Sequence, residues 1–224
     1  MQYVDLSIPI ANGIPSFPGE PGGYVMPFAS HEVQGWVSHQ LLLYTHLGTH
    51  IDAPAHFVPN GKGVLDWSLE QLIGSALIIR LRHAINGGEE LQRKDFHWPR
   101  EPMAGDRIIL HTGWDKQWGT DRYFNKFPSL GVELVEYLVD CRIGLLGMDT
   151  PTPHASQAAV VHELLLGNAI VIVEGLANLD RIPVVEGQII CLPLPLQGLD
   201  GSPARVVFGY ETELQESNGE AVLR

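Results

Sequence analysis

Residues 45–57, with the sequence THLGTHIDAPAHF, contain side chains suited to metal-assisted chemistry. Three imidazoles and one carboxylate stand at even positions: His46, His50, Asp52 and His56. A helix would turn Asp52 away from His50, and the glycine and proline in the segment would break such a helix. A β-strand instead puts all four side chains on one face. The alternation therefore predicts an extended segment with one titratable face.

A flat strand would not let these side chains bind one ion. At about 3.3 Å per residue, His46 and His50 would lie ~13 Å apart, too far for metal bonds of ~2.1 Å. We therefore expect the chain to bend at Gly48 and to curl back after Pro54, so that His56 can take part. The nitrogen and oxygen donors suit Zn²⁺ or Mn²⁺ better than Ca²⁺ or Mg²⁺. A polar strand face that lines a cavity or an interface is the alternative.

A second candidate pair lies further along the chain. His162 falls on a helix predicted over residues 157–166, and Glu174 ends the apolar run 169–173. A carboxylate at the end of a buried strand needs a partner, because uncompensated burial of charge is costly. A metal ion would be such a partner. The alternatives are a surface histidine on the helix and a glutamate that emerges into solvent.

Five other residues carry weaker signals. Asp149 ends a predicted strand and could reach a site, although an Asx turn is the alternative. His154 follows that turn and could also approach a site. The aromatic residues Phe17, Tyr24 and Trp36 could line a pocket for a flat aromatic molecule, or could be ordinary core and rim residues.

The predicted elements that carry these residues indicate one mixed domain. The chain of 224 residues suits a single domain over residues 1–224 at about 150 residues per domain. Predicted strands lie at 4–10, 76–81, 107–111, 143–148, 169–173, 189–192 and 204–208, and predicted helices at 67–73, 132–141 and 157–166. Glycine (24) and proline (16) are abundant, which favours turns and bent strands. This order is typical of a mixed α/β or α+β fold.

Composition excludes several classes of function. The net charge of −12 argues against nucleic acid and anionic membranes as partners. No apolar run approaches the ~20 residues of a spanning helix, and the N-terminus has no signal-peptide pattern. Cys141 and Cys191 are expected to be reduced thiols, which together with the other features predicts a cytoplasmic protein. Nucleophile-elbow, P-loop and dinucleotide-binding motifs are all missing.

At residues 46–57 the sequence resembles the cyclase family of metal-dependent hydrolases, which includes bacterial kynurenine formamidases and isatin hydrolases. The family pattern H-x-G-T-H-x-D-x-P-x-H-F matches here as HLGTHIDAPAHF, without a gap. Weaker matches continue along the chain at Asp5-Leu6-Ser7, Pro18-Gly19, Thr112-Gly113-Trp114, residues 147–151 and residues 200–203 with Arg205. One departure is Glu174-Gly175-Leu176, where the family commonly has Glu-Asn-Leu.

The resemblance implies a metal site and a fold. It implies five metal ligands, which are His46, His50, Asp52, His162 and Glu174. Asp52 would bridge two metal positions, and His56 would be the catalytic acid/base. One or two Zn²⁺ ions per chain are expected, with Mn²⁺ as the alternative. The implied fold is a mixed α/β domain with a β-barrel-like core flanked by helices, of the swivelling β/β/α type, assembled as a homodimer or homotetramer.

These observations lead to a functional hypothesis. The protein would hydrolyse a small aromatic amide as kynurenine formamidases do, converting N-formylkynurenine to kynurenine plus formate. A metal-bound hydroxide would attack the carbonyl carbon, and His56 would pass the proton to the leaving nitrogen. One alternative is opening of a cyclic amide, as in isatin hydrolases. The other is a non-catalytic metal- or ligand-binding protein on the same scaffold.

Overall fold

Thirteen strands and five α-helices are present in a computed structural model of the chain, which describes residues 1–211. The strands are β1 (Gln2–Asp5), β2 (Tyr24–Ala29), β3 (Ser38–Leu42), β4 (His50–Asp52), β5 (Ile73–Leu81), β6 (Glu90–Leu91), β7 (Phe96–His97), β8 (Arg107–His111), β9 (Ser129–Leu130), β10 (Leu145–Met148), β11 (Val171–Glu174), β12 (Glu186–Pro193) and β13 (Gly201–Tyr210). The helices are α1 (His31–Gln34), α2 (Leu69–Leu72), α3 (Arg122–Asn125), α4 (Val132–Asp140) and α5 (Ala158–Gly167).

Seven of these strands close into a barrel. Their order is β13-β12-β5-β8-β10-β11-β4, and β4 pairs back onto β13. The strands β5, β8, β10 and β11 run parallel to one another, whereas β4, β12 and β13 are antiparallel to their neighbours. This arrangement confirms the expected mixed α/β fold with a barrel-like core flanked by helices.

The barrel has two hydrophobic layers, because successive side chains of a strand point to opposite sides. The inner layer fills the barrel and includes Ile51, Ile78, Ile109, Val173 and Phe208. The outer layer lies under α4 and α5 and includes Leu77, Leu110, Leu146, Ile172, Leu138 and Leu165. The even-numbered residues of β4 and β11 therefore face outward, toward α5.

Two of the predicted helices are present as α4 and α5. The third, predicted over residues 67–73, is only the single turn α2, because the chain enters β5 at Ile73. Both cysteines are free thiols, as expected. None of the helices within residues 1–211 has the length and apolar character needed to cross a membrane.

A separate two-stranded sheet extends from this body. It consists of β2 and β3 with α1 between them, and its strands pair only with each other. We call residues 24–42 the β2–β3 arm. Its large apolar side chains include exposed residues on both strands and the connection: Tyr24, Met26, Phe28, Val33, Trp36, Val37, Leu41 and Leu42.

Candidate metal centre

The segment 45–57 is bent more strongly than the alternation alone predicts. Only His50–Asp52 is a strand, and Pro54–His56 forms a 3-10 turn. The expected bend is present at Gly48, whose φ of 64° is a left-handed conformation that glycine adopts without steric cost. The bend brings the ring centroids of His46 and His50 to 5.1 Å from each other.

A second glycine makes room for the first histidine. Gly201 on β13 pairs with Asp52 on β4. A Cβ atom at Gly201 would lie 2.7 Å from Cε1 of His46. Any larger residue at this position would therefore displace the His46 ring from Asp52.

Strand register and the packing of α5 bring the second candidate pair to the same place. The antiparallel pairing of β4 and β11 sets Glu174 directly opposite His50. The His50 Nε2 atom lies 3.3 Å from Glu174 Oε2. From α5, His162 Nε2 lies 3.2 Å from Glu174 Oε1 and 3.4 Å from Asp52 Oδ2. These four side chains are buried. Because His46 Nδ1 lies 2.8 Å from Asp52 Oδ1, all five candidate ligands form one cluster.

The hydrogen bonds of two histidines prepare their Nε2 atoms to bind a cation. His50 Nδ1 donates to the Gly48 carbonyl at 3.0 Å, and His162 Nδ1 donates to the Ala158 carbonyl at 2.7 Å. A neutral ring with its proton on Nδ1 has a lone pair on Nε2, here directed at carboxylate oxygens. Among residues 1–211, His50 Nε2 and Asp52 Oδ2 are buried without a hydrogen-bond partner. A divalent cation between these groups would satisfy them, and the donor set fits one.

The pKa values show the charge that this cluster holds. Burial by itself would lower the pKa of His162, but the Asp52 and Glu174 carboxylates raise it to about 10. The carboxylates Asp52 and Asp200 likewise raise the pKa of His46 to about 10 against the effect of burial. Burial opposes ionisation of Asp52, yet His46 and His162 hold its pKa well below the usual range. A bound cation would compete with these protons, so its affinity depends on pH.

Asp52 is shared by two groups of side chains. His46, Asp52 and His56 form one, and His50, Asp52 and Glu174 form the other, each with its ligand atoms within 4.8 Å of one another. Each group could hold a cation, and Asp52 is common to both. His56 belongs to the first group, and His162 belongs to neither of them.

The 3-10 turn returns His56 to the cluster, where it meets Asp200, a residue that the local spacing of ligands does not single out. The His56 ring stacks on His46 with centroids 3.9 Å apart. Asp200 Oδ2 lies 2.9 Å from His46 Nε2 and 3.4 Å from His56 Nδ1. The His46 hydrogen bond lowers the pKa of Asp200 to about 2, whereas burial lowers the pKa of His56. The motif at residues 200–203 was the available signal for Asp200.

A cavity of about 240 Å³ opens over the cluster. Its walls include five aromatic side chains, which are Phe17, Phe57, Trp118, Tyr123 and Phe124. Of the aromatic candidates, Phe17 lines this cavity. Tyr24 and Trp36 lie on the β2–β3 arm, 54% and 50% exposed, and do not line it within this chain. Local periodicity could not place the other aromatics at this cavity, because Phe57 follows the 3-10 turn after β4 whereas Trp118, Tyr123 and Phe124 lie on and just before α3.

The two remaining candidates, Asp149 and His154, have different positions. His154 is buried in the cavity wall, and its Nδ1 accepts the backbone N–H groups of Ser156 and Gln157. Its Nε2 therefore carries the ring proton. Asp149 is buried and does not line the cavity.

Asp149 organises the loop after β8. It accepts the backbone N–H groups of Thr112, Gly113 and Trp114 and the Thr112 hydroxyl, at 2.7–3.1 Å. Asp149→Ala would leave these donors without an acceptor and should lower the free energy of unfolding by about 3 kcal/mol. Chemical denaturation measures this loss. Asp149→Asn, which keeps one acceptor oxygen, should lose less; equal stability of the alanine variant and the parent would contradict this structural role.

A barrel with a buried histidine–carboxylate cluster beneath an aromatic cavity defines a metal-dependent hydrolase. A sequence profile described as "Putative cyclase" matches residues 4–155. The kynurenine formamidase of Bacillus thuringiensis subsp. konkukian (strain 97-27) is 31% identical over 212 residues, covering 92% of this chain and 97% of that protein. The chain therefore belongs to the cyclase family, which confirms the resemblance in its motifs.

Solved structures agree with this assignment. A structure described as a "Potential Metal-Dependent Hydrolase With Cyclase Activity" has a TM-score of 0.78 at 25% identity, covering 92% of this chain and 96% of that one. Isatin hydrolase A from Labrenzia aggregata, bound to benzyl benzoate, has a TM-score of 0.78 at 25% identity, covering 92% of this chain and 93% of that one.

Proposed function

We propose that this protein hydrolyses the amide bond of a small aromatic amide, with N-formylkynurenine as its substrate and kynurenine plus formate as products. The observation that carries the proposal is the convergence of the buried cluster and His56 at an aromatic-lined cavity. The likeness over most of the chain to proteins named kynurenine formamidase supports the choice of substrate.

We propose Zn²⁺ as the resident ion, at one or two per chain, with Mn²⁺ as the alternative. Its ligands would be His46, His50, Asp52, His162 and Glu174. When bound, such an ion polarises an amide carbonyl as a Lewis acid and lowers the pKa of water. The backbone carbonyls that accept from Nδ1 of His50 and His162 fix both rings, so that Nε2 of each would be free to hold the ion.

His56 is placed to move the proton. Its lowered pKa keeps the imidazole neutral near pH 7, so it can accept a proton from water. Asp200 faces its Nδ1 and holds the ring, which leaves Nε2 to carry that proton to the leaving nitrogen. The aromatic walls offer stacking surfaces to an aryl ring.

Asp200→Asn should weaken Zn²⁺ binding about 10- to 100-fold, because Asp200 orients the His46 ring from the far side. Competition with a chromophoric chelator measures the affinity. Asp180→Asn, which removes an exposed carboxylate paired with Lys116, is the matched control and should bind Zn²⁺ as the parent does. Unchanged affinity in the Asp200 variant would exclude this orienting role.

The function is tested by metal analysis and turnover together. Protein purified without chelator should contain about two Zn²⁺ per chain by mass spectrometry and should hydrolyse N-formylkynurenine. Removal of the metal should abolish turnover and its return should restore it. Failure of the metal-loaded protein to hydrolyse any aryl formamide would overturn the proposal.

Ring opening of a cyclic amide is the second candidate, and the structural likeness to isatin hydrolase A supports it. Isatin and N-formylkynurenine both present an aryl amide, so the ratio of their kcat/KM values decides between them. Bound metal without turnover of either substrate would instead favour a non-catalytic binding protein on the same scaffold.

We propose that a second copy of the chain covers the β2–β3 arm and forms a homodimer. An apolar surface of this extent is unusual on a monomer. Tyr24 and Trp36, which do not line the cavity of their own chain, would lie in that interface. Light scattering should give twice the chain mass of 24.7 kDa. The double variant Phe28→Ser, Trp36→Ser should lower the measured mass toward that of a single chain. A monomeric parent would contradict the proposal.

Free thiols at Cys141 and Cys191 support a cytoplasmic location for the protein. The net charge of −12 supports a protein without nucleic-acid or anionic-membrane partners.

A further inference from the structure

Glu20 has a defined position on the wall of the active-site cavity. The turn at residues 17–20 is closed by the Glu20 N–H, which donates to the Phe17 carbonyl at 2.9 Å. Gly19 has a φ of 91° inside this turn, and the Ser16 hydroxyl donates to the Glu20 carbonyl. Phe17 and Glu20 both line the cavity. The turn therefore holds an aromatic ring and a carboxylate side by side at the cavity wall.

Among the described residues, the Glu20 carboxylate forms no salt bridge with a lysine or an arginine. It is half-buried, and burial raises its pKa against the opposing effects of His46 and the Tyr44 hydroxyl. None of the described cavity-lining residues is a lysine or an arginine. Glu20 also lies outside the two groups that meet at Asp52. The carboxylate is thus available to a cation that enters the cavity with the substrate.

We infer that Glu20 is a specificity-determining residue that binds an ammonium group on the substrate. The inference rests on the proposed function and narrows the substrate to aryl formamides with a side chain that carries a primary amine. N-formylkynurenine carries such an ammonium group beside a carboxylate. The cavity offers the Glu20 carboxylate to the ammonium group. Its described lining residues include no lysine or arginine that could pair with the substrate carboxylate. Isatin has no ammonium group, so Glu20 discriminates between the two candidate substrates.

Three substrates test the ammonium group and the carboxylate of the substrate separately. N-formylkynurenine has both groups, its decarboxylated analogue keeps only the ammonium, and 4-(2-formamidophenyl)-4-oxobutanoate keeps only the carboxylate. Glu20→Gln preserves the size of the side chain and removes its charge. It should lower kcat/KM about 10- to 100-fold for the two ammonium substrates, mainly through KM, and leave the third within about twofold.

Glu136→Gln on α4 is the matched control, because it removes one exposed carboxylate away from the cavity. It should leave all three rates unchanged. An equal loss on all three substrates in Glu20→Gln would overturn the inference, because it would mean that Glu20 supports the cavity wall. An unchanged rate on all three would overturn it as well.

Product binding gives a second readout that needs no turnover. By calorimetry, Glu20→Gln should weaken kynurenine about tenfold and leave its deaminated analogue unaffected. Equal affinities of parent and variant for kynurenine would overturn the inference. Turnover of the oxobutanoate without turnover of the ammonium substrates would overturn it, together with N-formylkynurenine as the substrate, whereas hydrolysis of an aryl formamide by this site would stand. If the parent hydrolyses none of them, the proposed function fails, and calorimetry still decides whether Glu20 binds the ammonium.

Discussion

Replacement of Asp52 by asparagine is expected to empty both cation positions and to lower kcat/KM by at least about 1,000-fold. Asp52 belongs to both ligand groups, and its oxygens lie 2.8 Å from His46 Nδ1 and 3.4 Å from His162 Nε2. The amide has no charge and only one acceptor oxygen, so it cannot bridge two ions. Metal content by mass spectrometry and turnover of N-formylkynurenine measure the two effects.

Glu174→Gln is the informative comparison, because Glu174 belongs to one ligand group and Asp52 to both. We expect the Glu174 variant to lose about one ion per chain and the Asp52 variant to lose both. Circular dichroism shows whether each variant keeps its fold. Two ions retained in folded Asp52→Asn would contradict the bridging role.

Replacement of His56 by asparagine is expected to lower kcat about 100- to 10,000-fold while the metal stays bound. The side chain of His56 is 24% exposed, whereas those of His50 and His162 are 5% and 3% exposed. Because burial lowers the pKa of His56, its neutral form persists below pH 6.5. The acid limb of kcat/KM in the parent should therefore lie below that pH and should disappear from the residual activity of the variant.

The outcome also separates two roles for His56, since its ring lies in the group of ligand atoms with His46 and Asp52. Loss of metal from His56→Asn would make it a ligand and contradict the acid/base role. Full activity with metal bound would contradict both. Partial restoration of the rate by added imidazole would support proton transfer.

Local chemistry explains why the sequence alone predicted much of this site. Side-chain alternation in a strand depends only on backbone geometry, so the shared outward face of His50 and Asp52 follows from their spacing. The left-handed conformation of Gly48 is accessible because glycine lacks a Cβ atom. The family motif is also recognisable in the sequence, because its residues are contiguous over 46–57. Helix α4 follows from apolar spacing within one segment, and α5 was predicted from the residue types at its two ends.

Other features depended on the closed barrel. Barrel closure sets Glu174 opposite His50 and Gly201 opposite Asp52, across more than 120 and 140 residues of chain respectively. The same closure places Asp200 against His46 and His56.

Tertiary structure alone also determined which residues line the cavity. Glu20 reaches the cavity through a turn, whereas Tyr24 and Trp36 extend outward on the β2–β3 arm. Residue type and local spacing do not determine which distant loops meet. The sequence by itself therefore determined the chemistry that this chain can perform, and the tertiary structure decided which groups surround that chemistry. The physical reason is that strand register and barrel closure are properties of the whole chain, while ligand chemistry and backbone periodicity are properties of short segments.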